Sequence, residues 1–147
     1  MGKAIQPSIL YDEGKSMKAF FRNMGDNREN YILNASSNDM GQTWSGISST
    51  SLPNPNSGFD MIKLRDNMYL AAINYSFHGR SNLSMLLSQD KGRTWRTIKV
   101  LENTPGQEYS YPSISRSNSG LYHITYTYER RKIKHIVFNE AWVRNLI

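Results

Sequence analysis

Cysteine is absent from this 147-residue chain, so thiol nucleophiles, zinc–thiolate sites and disulfides are excluded. The side chains left to do chemistry are mainly arginines, tyrosines and three histidines. Arg22, Arg80, Arg130 and Arg131 matter because a guanidinium is planar, always charged and able to grip a carboxylate bidentately. His78, His123 and His135 are not at metal-binding spacing, and no carboxylate cluster accompanies them. His123 falls in the middle of an expected strand and reads as structural. No metal and no cofactor are expected. The chain has no phosphate-cradling glycine loop and no nucleophile elbow. Tyrosine and arginine interleave over residues 126–132, a pattern that can stack bases. Without a nucleic-acid fold motif beside it, nucleic acid is not the expected partner.

The composition must supply a scaffold for those residues. Hydrophobic residues make up 38% and charged residues 20% of the chain, a balance that builds a packed core. The length suits one domain, expected over residues 1–147. No apolar run approaches the roughly 20 residues of a membrane helix. The start, Met1-Gly2-Lys3-Ala4-Ile5-Gln6, has no apolar signal-peptide core, and Gln6 stands where a myristoylation signal has Ser or Thr. These features leave the compartment unread. The net charge of +6 admits an anionic partner. The one tight basic run, Arg130-Arg131-Lys132-Ile133-Lys134-His135, reads as a solvated strand face.

The strongest signal is an internal repeat. Ser37-Asn38-Asp39-Met40-Gly41-Gln42-Thr43-Trp44 recurs as Ser88-Gln89-Asp90-Lys91-Gly92-Arg93-Thr94-Trp95, offset by 51 positions. Asp hydrogen-bonds its own turn and Gly supplies a positive φ. Thr and Trp then re-enter a strand, with each indole expected to pack between sheets. The preceding strands match at the same offset, Met17-Lys18-Ala19-Phe20-Phe21-Arg22-Asn23 against Met68-Tyr69-Leu70-Ala71-Ala72-Ile73-Asn74. A third unit, residues 120–138, lacks the octamer. β-branched and aromatic residues dominate all three, and no amphipathic helix is evident. The expectation is an all-β propeller of three four-stranded blades, at about residues 5–50, 56–101 and 110–147. Residues 48–58, rich in Pro and Ser, read as an inter-blade connection.

The octamers resemble the Asp box, or bacterial neuraminidase repeat, of the sialidase-like BNR family. Leu52-Pro53-Asn54-Pro55-Asn56-Ser57-Gly58, Glu108-Tyr109-Ser110-Tyr111-Pro112-Ser113-Ile114 and Tyr126-Thr127-Tyr128-Glu129-Arg130-Arg131 are similar to further segments of that family. The likeness spans nearly the whole chain and implies the C-terminal half of a six-bladed propeller. Three blades cannot close a ring, because propellers have about 4–8. Either the chain is a fragment, or two chains pair as a homodimer.

Hairpin geometry puts the Asp boxes at the opposite end of the sheets from Gln6 and Arg22. Ser37, Asp39, Gly41, Trp44, Ser88, Asp90, Gly92 and Trp95 therefore read as structural turns. Aligning the units makes Gln6, Ser57 and Tyr111 equivalent, each opening an innermost strand at the funnel. Arg22, Arg80 and Arg130 or Arg131 end the second strands at the same mouth. The resemblance implies a tyrosine nucleophile at Tyr111, outside the usual two-carboxylate scheme. A phenol of pKa about 10 needs a carboxylate base beside it. The family has a Glu where this chain has Asn56 and Ser57, leaving Glu108 as the nearby carboxylate. Arg22 and Arg80 sit in segments like those whose arginines hold the sugar carboxylate. The family's acid/base Asp has no counterpart here, since neither Asp26 nor Asp60 matches its motif. Two functions follow: a retaining exo-glycosidase acting on an acidic sugar, or a non-catalytic glycan-binding half-propeller.

Overall fold

The computed structural model describes residues 4–25 and 30–147; Asp26 lies outside them. Every sheet is an antiparallel meander in chain order. The first holds β1 (Ala4–Tyr11), β2 (Met17–Asn23), β3 (Tyr31–Ser37) and β4 (Ser48–Pro53). The second holds β5 (Asp60–Lys63), β6 (Tyr69–Ile73), β7 (Asn82–Ser88) and β8 (Arg96–Asn103). The third holds β9 (Tyr109–Arg116), β10 (Tyr122–Tyr128) and β11 (Lys132–Phe138), followed by the helix α1 (Glu140–Arg144). The arrangement is propeller-like.

Two expectations are corrected. The third sheet has three strands among the described residues, not four. After Phe138, the Asn139 side chain accepts a hydrogen bond from the Trp142 amide at 2.8 Å and caps a helical turn. Val143 then buries itself in the core. A helix of five residues is too short to declare a 3.6-residue period. The connection read over residues 48–58 is also wrong in its first half. Residues 48–53 form β4, where Leu52 is buried.

Consecutive residues of a strand face opposite sides, and the second sheet uses both. Tyr69, Ala71 and Ile73 pack against Leu10, Phe20, Ile32 and Leu52 of the first sheet. Leu70 and Ala72 pack against Tyr109, Ile114, Tyr122 and Ile124 of the third. Burial on both faces explains the unbroken apolar run of β6.

Asp60 ties the three innermost strands together. Its carboxylate accepts the Ser8 hydroxyl of β1 at 3.0 Å, its neighbouring Met61 amide at 2.8 Å and the Ile114 amide of β9 at 2.8 Å. No helix among the described residues is long and apolar enough to cross a membrane.

The two ends of each sheet differ. Ile5 pairs with Arg22 at one end of the first sheet, while Met17 pairs with Ser37 at the other. Both Asp-box turns follow the second of these ends.

Candidate active site

Proline shapes the mouth. It has no N–H to give a ladder, so it forces a bulge or an edge. The β1–β2 register slips between Ile5 and Ser8, across Gln6-Pro7. The β9–β10 register slips in the same way across Tyr111-Pro112. At each bulge the residue before proline is left-handed: Gln6 has φ 48° and Tyr111 has φ 52°. Asn56 has φ 53° before β5. Such a backbone costs a non-glycine residue about 1–3 kcal/mol, and bulges of this kind re-aim side chains at functional sites.

The re-aimed side chains converge. Arg22 donates from Nε to Asn56 Oδ1 at 2.7 Å and from Nη1 to Gln6 Oε1 at 2.9 Å. Arg80 donates from Nη2 to the Asn56 carbonyl at 3.3 Å. Its guanidinium lies 5.4 Å from the centre of the Tyr111 ring, and its Nη1 is 3.5 Å from Glu108. Arg130 Nε meets the other Glu108 oxygen at 2.7 Å. Gln6, Arg22, Asn56, Arg80, Glu108, Tyr111 and Arg130 thus form one cluster at one end of the sheets.

Ser57 does not join them. It is fully buried, its amide donating to Asn54 Oδ1 at 2.9 Å and its hydroxyl accepting from the Asn54 amide group at 3.2 Å. The left-handed position shared with Gln6 and Tyr111 belongs to Asn56, one residue earlier. Arg131 makes no side-chain contact to this cluster.

Electrostatics set the protonation states. Hydrogen bonding and charge from Arg80, then from Arg22, hold the Tyr111 phenol below the usual tyrosine range. For Glu108, partial desolvation works upward. Bonds from Arg130 and Ser110, with the charges of Arg130 and Arg80, outweigh it and keep the carboxyl below the ordinary glutamate range. Glu108 is therefore an ionised anchor for two arginines.

Three supporting residues escaped the sequence reading. Gly58 is the floor under Tyr111, since a Cβ there would meet the ring at 2.9 Å. Asn74 is fully buried and its amide group donates to the Tyr109 carbonyl at 2.8 Å, fixing the strand that carries Tyr111. Ser110 donates to Glu108 at 3.0 Å. Of these, only the glycine beside the mouth left a trace in composition.

Tyr111 is half exposed, at 51%, and separates two clefts. One, of about 600 Å³, is lined by Arg80, Ser81, Gln107, Glu108 and Arg130 among others. The other, of about 190 Å³, runs past Gln6, Gly58 and Phe59. A further cleft of about 410 Å³ lies between Tyr11, Leu64 and Arg116, and no predicted site residue lines it.

The Asp boxes hold no such cluster. Asp39 accepts from Ser37, the Thr43 amide and the Thr43 hydroxyl, all within its own turn. Asp90 repeats the pattern with Ser88 and Thr94. One indole departs from expectation. Trp95 packs edge-on against Phe20 of the first sheet, centroids 6.1 Å apart, whereas Trp44 is 39% exposed. Trp95 has a preceding sheet to lean on, and Trp44 has none in this chain.

Residues 1–124 match the BNR repeat-like domain. The chain belongs to that family. No curated protein sequence matches it. Among solved structures, this BNR repeat-like chain superposes on the Hadza microbial sialidase Hz136 with a TM-score of 0.74 at 19% identity, covering 95% of this chain and 28% of that one. The K499G mutant of the NanB sialidase from Streptococcus pneumoniae gives 0.66 at 17% identity, over 90% of this chain and 23% of that one. The E242A mutant of the α-L-arabinofuranosidase arb93a from Fusarium graminearum gives 0.69 at 15% identity, over 92% and 45%. The BNR repeat-like chain spans less than a third of these sialidases and under half of the arabinofuranosidase. At these identities the shared property is the glycoside-hydrolase-like fold.

Proposed function

We propose that this chain is the anion-gripping half of a sialidase-type glycoside hydrolase ring. Arg22 and Arg80 hold the carboxylate of an acidic sugar, and Tyr111 is the nucleophile that attacks its anomeric carbon. The observation that carries this reading is the meeting of two arginines on Asn56, with the Arg80 guanidinium 5.4 Å from the ring of the left-handed, half-exposed Tyr111. Gln6 and Asn56 are neutral, so Arg22 keeps its full charge for a ligand. Glu108 aligns Arg80 and Arg130. Attack by Tyr111 on one face breaks the glycosidic bond and releases the aglycone oxygen, which takes up a proton; water then breaks the glycosyl–tyrosine bond from the opposite face and returns the phenol, so the anomeric configuration is retained. The phenol proton needs an acceptor, and Asn56 stands where the resemblance places a glutamate. That substitution favours a second reading, in which the same mouth binds acidic glycans without cleaving them.

The ring itself belongs to the proposal. Three sheets fall short of the roughly four to eight blades of a closed propeller, so the reading supplies the remainder from a longer chain or a second copy. Light scattering at micromolar concentration tests the second copy, and a monodisperse 16.9 kDa monomer refutes it.

A fluorogenic sialoside assay, run beside uronic and neutral glycosides, separates the readings. Turnover of the sialoside that disappears in Tyr111→Phe supports the hydrolase. Saturable binding of the acidic sugar without turnover supports the binding module. Preference for a neutral sugar overturns both.

A further inference from the structure

We propose that His123 and His135 form a two-imidazole site for a divalent late first-row cation of the zinc class. The two are 12 residues apart in sequence, and the β10–β11 hairpin brings them together. His123 faces Val137 across the ladder, and Thr125 faces His135, so the histidines are diagonal neighbours on one face of the third sheet. His123 Nδ1 and His135 Nε2 lie 3.0 Å apart, and the rings stack within 15°.

That separation is the one a single metal ion requires. Zinc–imidazole bonds are about 2.0–2.1 Å. Two such bonds at an angle between 90° and the tetrahedral value put their nitrogens about 2.9–3.4 Å apart. The observed pair already falls in this window, so the nitrogens keep their separation while each ring turns by roughly 35–45° to bring its lone pair from the hydrogen-bond line onto one ion. In the metal-free pair, one of the facing nitrogens carries the proton of their hydrogen bond. On binding, that proton moves to the other nitrogen of its own ring. Both imidazoles then stay neutral, with protons on His123 Nε2 and His135 Nδ1.

The surroundings permit a cation. Lys132 and Lys134 alternate with His135 along β11 and place their ammonium groups 5.0 Å from the Tyr128 ring, on the other side of the sheet. The face that carries the histidines holds Ser113, Ser115 and Thr125 in register with them. Among the described residues no third His, Asp or Glu completes a metal cluster, so in the chain by itself, where this face of the third sheet is uncovered and Ile133 and Val137 are exposed, water fills the remaining positions. Imidazole ligands select Cu²⁺, Ni²⁺ and Zn²⁺ over Ca²⁺ and Mg²⁺.

Calorimetric titration of the full chain with Zn²⁺ tests the site. The expected result is one equivalent bound, no binding of Ca²⁺, and at least tenfold weaker Zn²⁺ binding in either His123→Asn or His135→Asn. His78→Asn, the control at the remaining histidine, keeps the wild-type affinity. Imidazole nitrogen NMR of the unmodified protein gives a second reading that needs no variant: Zn²⁺ moves both facing nitrogens, His123 Nδ1 and His135 Nε2, to metal-bound positions and leaves both outward nitrogens protonated. Zn²⁺ affinity unchanged in the double variant, or no saturable binding up to about 0.1 mM, overturns the proposal.

Discussion

The two ends of these sheets handle acidic residues in opposite ways. At the box end, each aspartate is satisfied by hydroxyls and amides no more than four positions away. The carboxylate stays ionised, but its hydrogen-bonding capacity is spent inside its own turn. At the mouth, Glu108 is held by Arg80 and Arg130 from two other sheet connections, and Arg22 reaches amide oxygens 16 and 34 positions away. Positive charge is left over there. A closed local network makes a turn, whereas an open network drawn from three sheets leaves the unspent positive charge that the proposed anion receptor needs.

The largest expected effect lies at the box end. Trp95→Ala removes an indole wedged on Phe20 and is expected to cost about 3 kcal/mol, the low end for emptying a large aromatic site. Thermal melts measure it, and a change below a degree or two would mean that the contact with Phe20 contributes nothing. Arg80→Ala comes next. It is expected to weaken binding of an acidic monosaccharide at least tenfold, the scale of one charge-assisted hydrogen bond. Its melting temperature should stay within about 2 °C of wild type; a large drop would make the mouth a scaffold like the boxes. Trp44→Ala is expected to cost only about 1 kcal/mol, because its indole is exposed and packs against no second sheet, whereas Trp95 is part-buried. Equal losses in the two tryptophan variants would erase the distinction between paired and unpaired sheets.

The smallest effect is a slope with pH. Bonds from Thr43 hold the Asp39 carboxyl down to about 2. Asp90 also falls to about 2, where Thr94 and Ser88 overcome a desolvation penalty that works upward. Both are lower folded than unfolded, so their contribution to stability is present above about pH 4 and is lost as pH falls toward 2. Asp39→Asn should flatten that part of a melting-temperature profile. An unchanged profile would show that the box carboxylates add no pH-dependent stability.

Much of this architecture was legible in the chain. The strands of the first two sheets show as apolar and aromatic runs repeated at an offset of 51, and the octamer fixes the turn between the third and fourth strands. The alignment of the units set Gln6 and Tyr111 at equivalent openings of innermost strands, and the structure adds a bulge at each, because the proline that follows cannot join a ladder. The second sheet has no proline at that point, so the alignment set Ser57 opposite Gln6 and Tyr111, one residue past the left-handed Asn56. A positive φ on asparagine leaves no mark in composition. The missing strand of the third sheet went unseen because a single capped turn is too short for periodicity. The contact between His123 and His135 depends on hairpin register, which sequence spacing does not report.

Asp60 carries a consequence for motion. One carboxylate holds a hydroxyl of the first sheet and an amide of the third while rooted in the second. The three sheets therefore cannot fan apart about the axis without breaking a bond to the same two oxygens. The spacing between Arg22, Arg80 and Tyr111 is set as in a jig, before any ligand arrives, and the mouth should take its guest as a lock does, with the Ile114 amide among the slowest in the chain to exchange its proton with solvent.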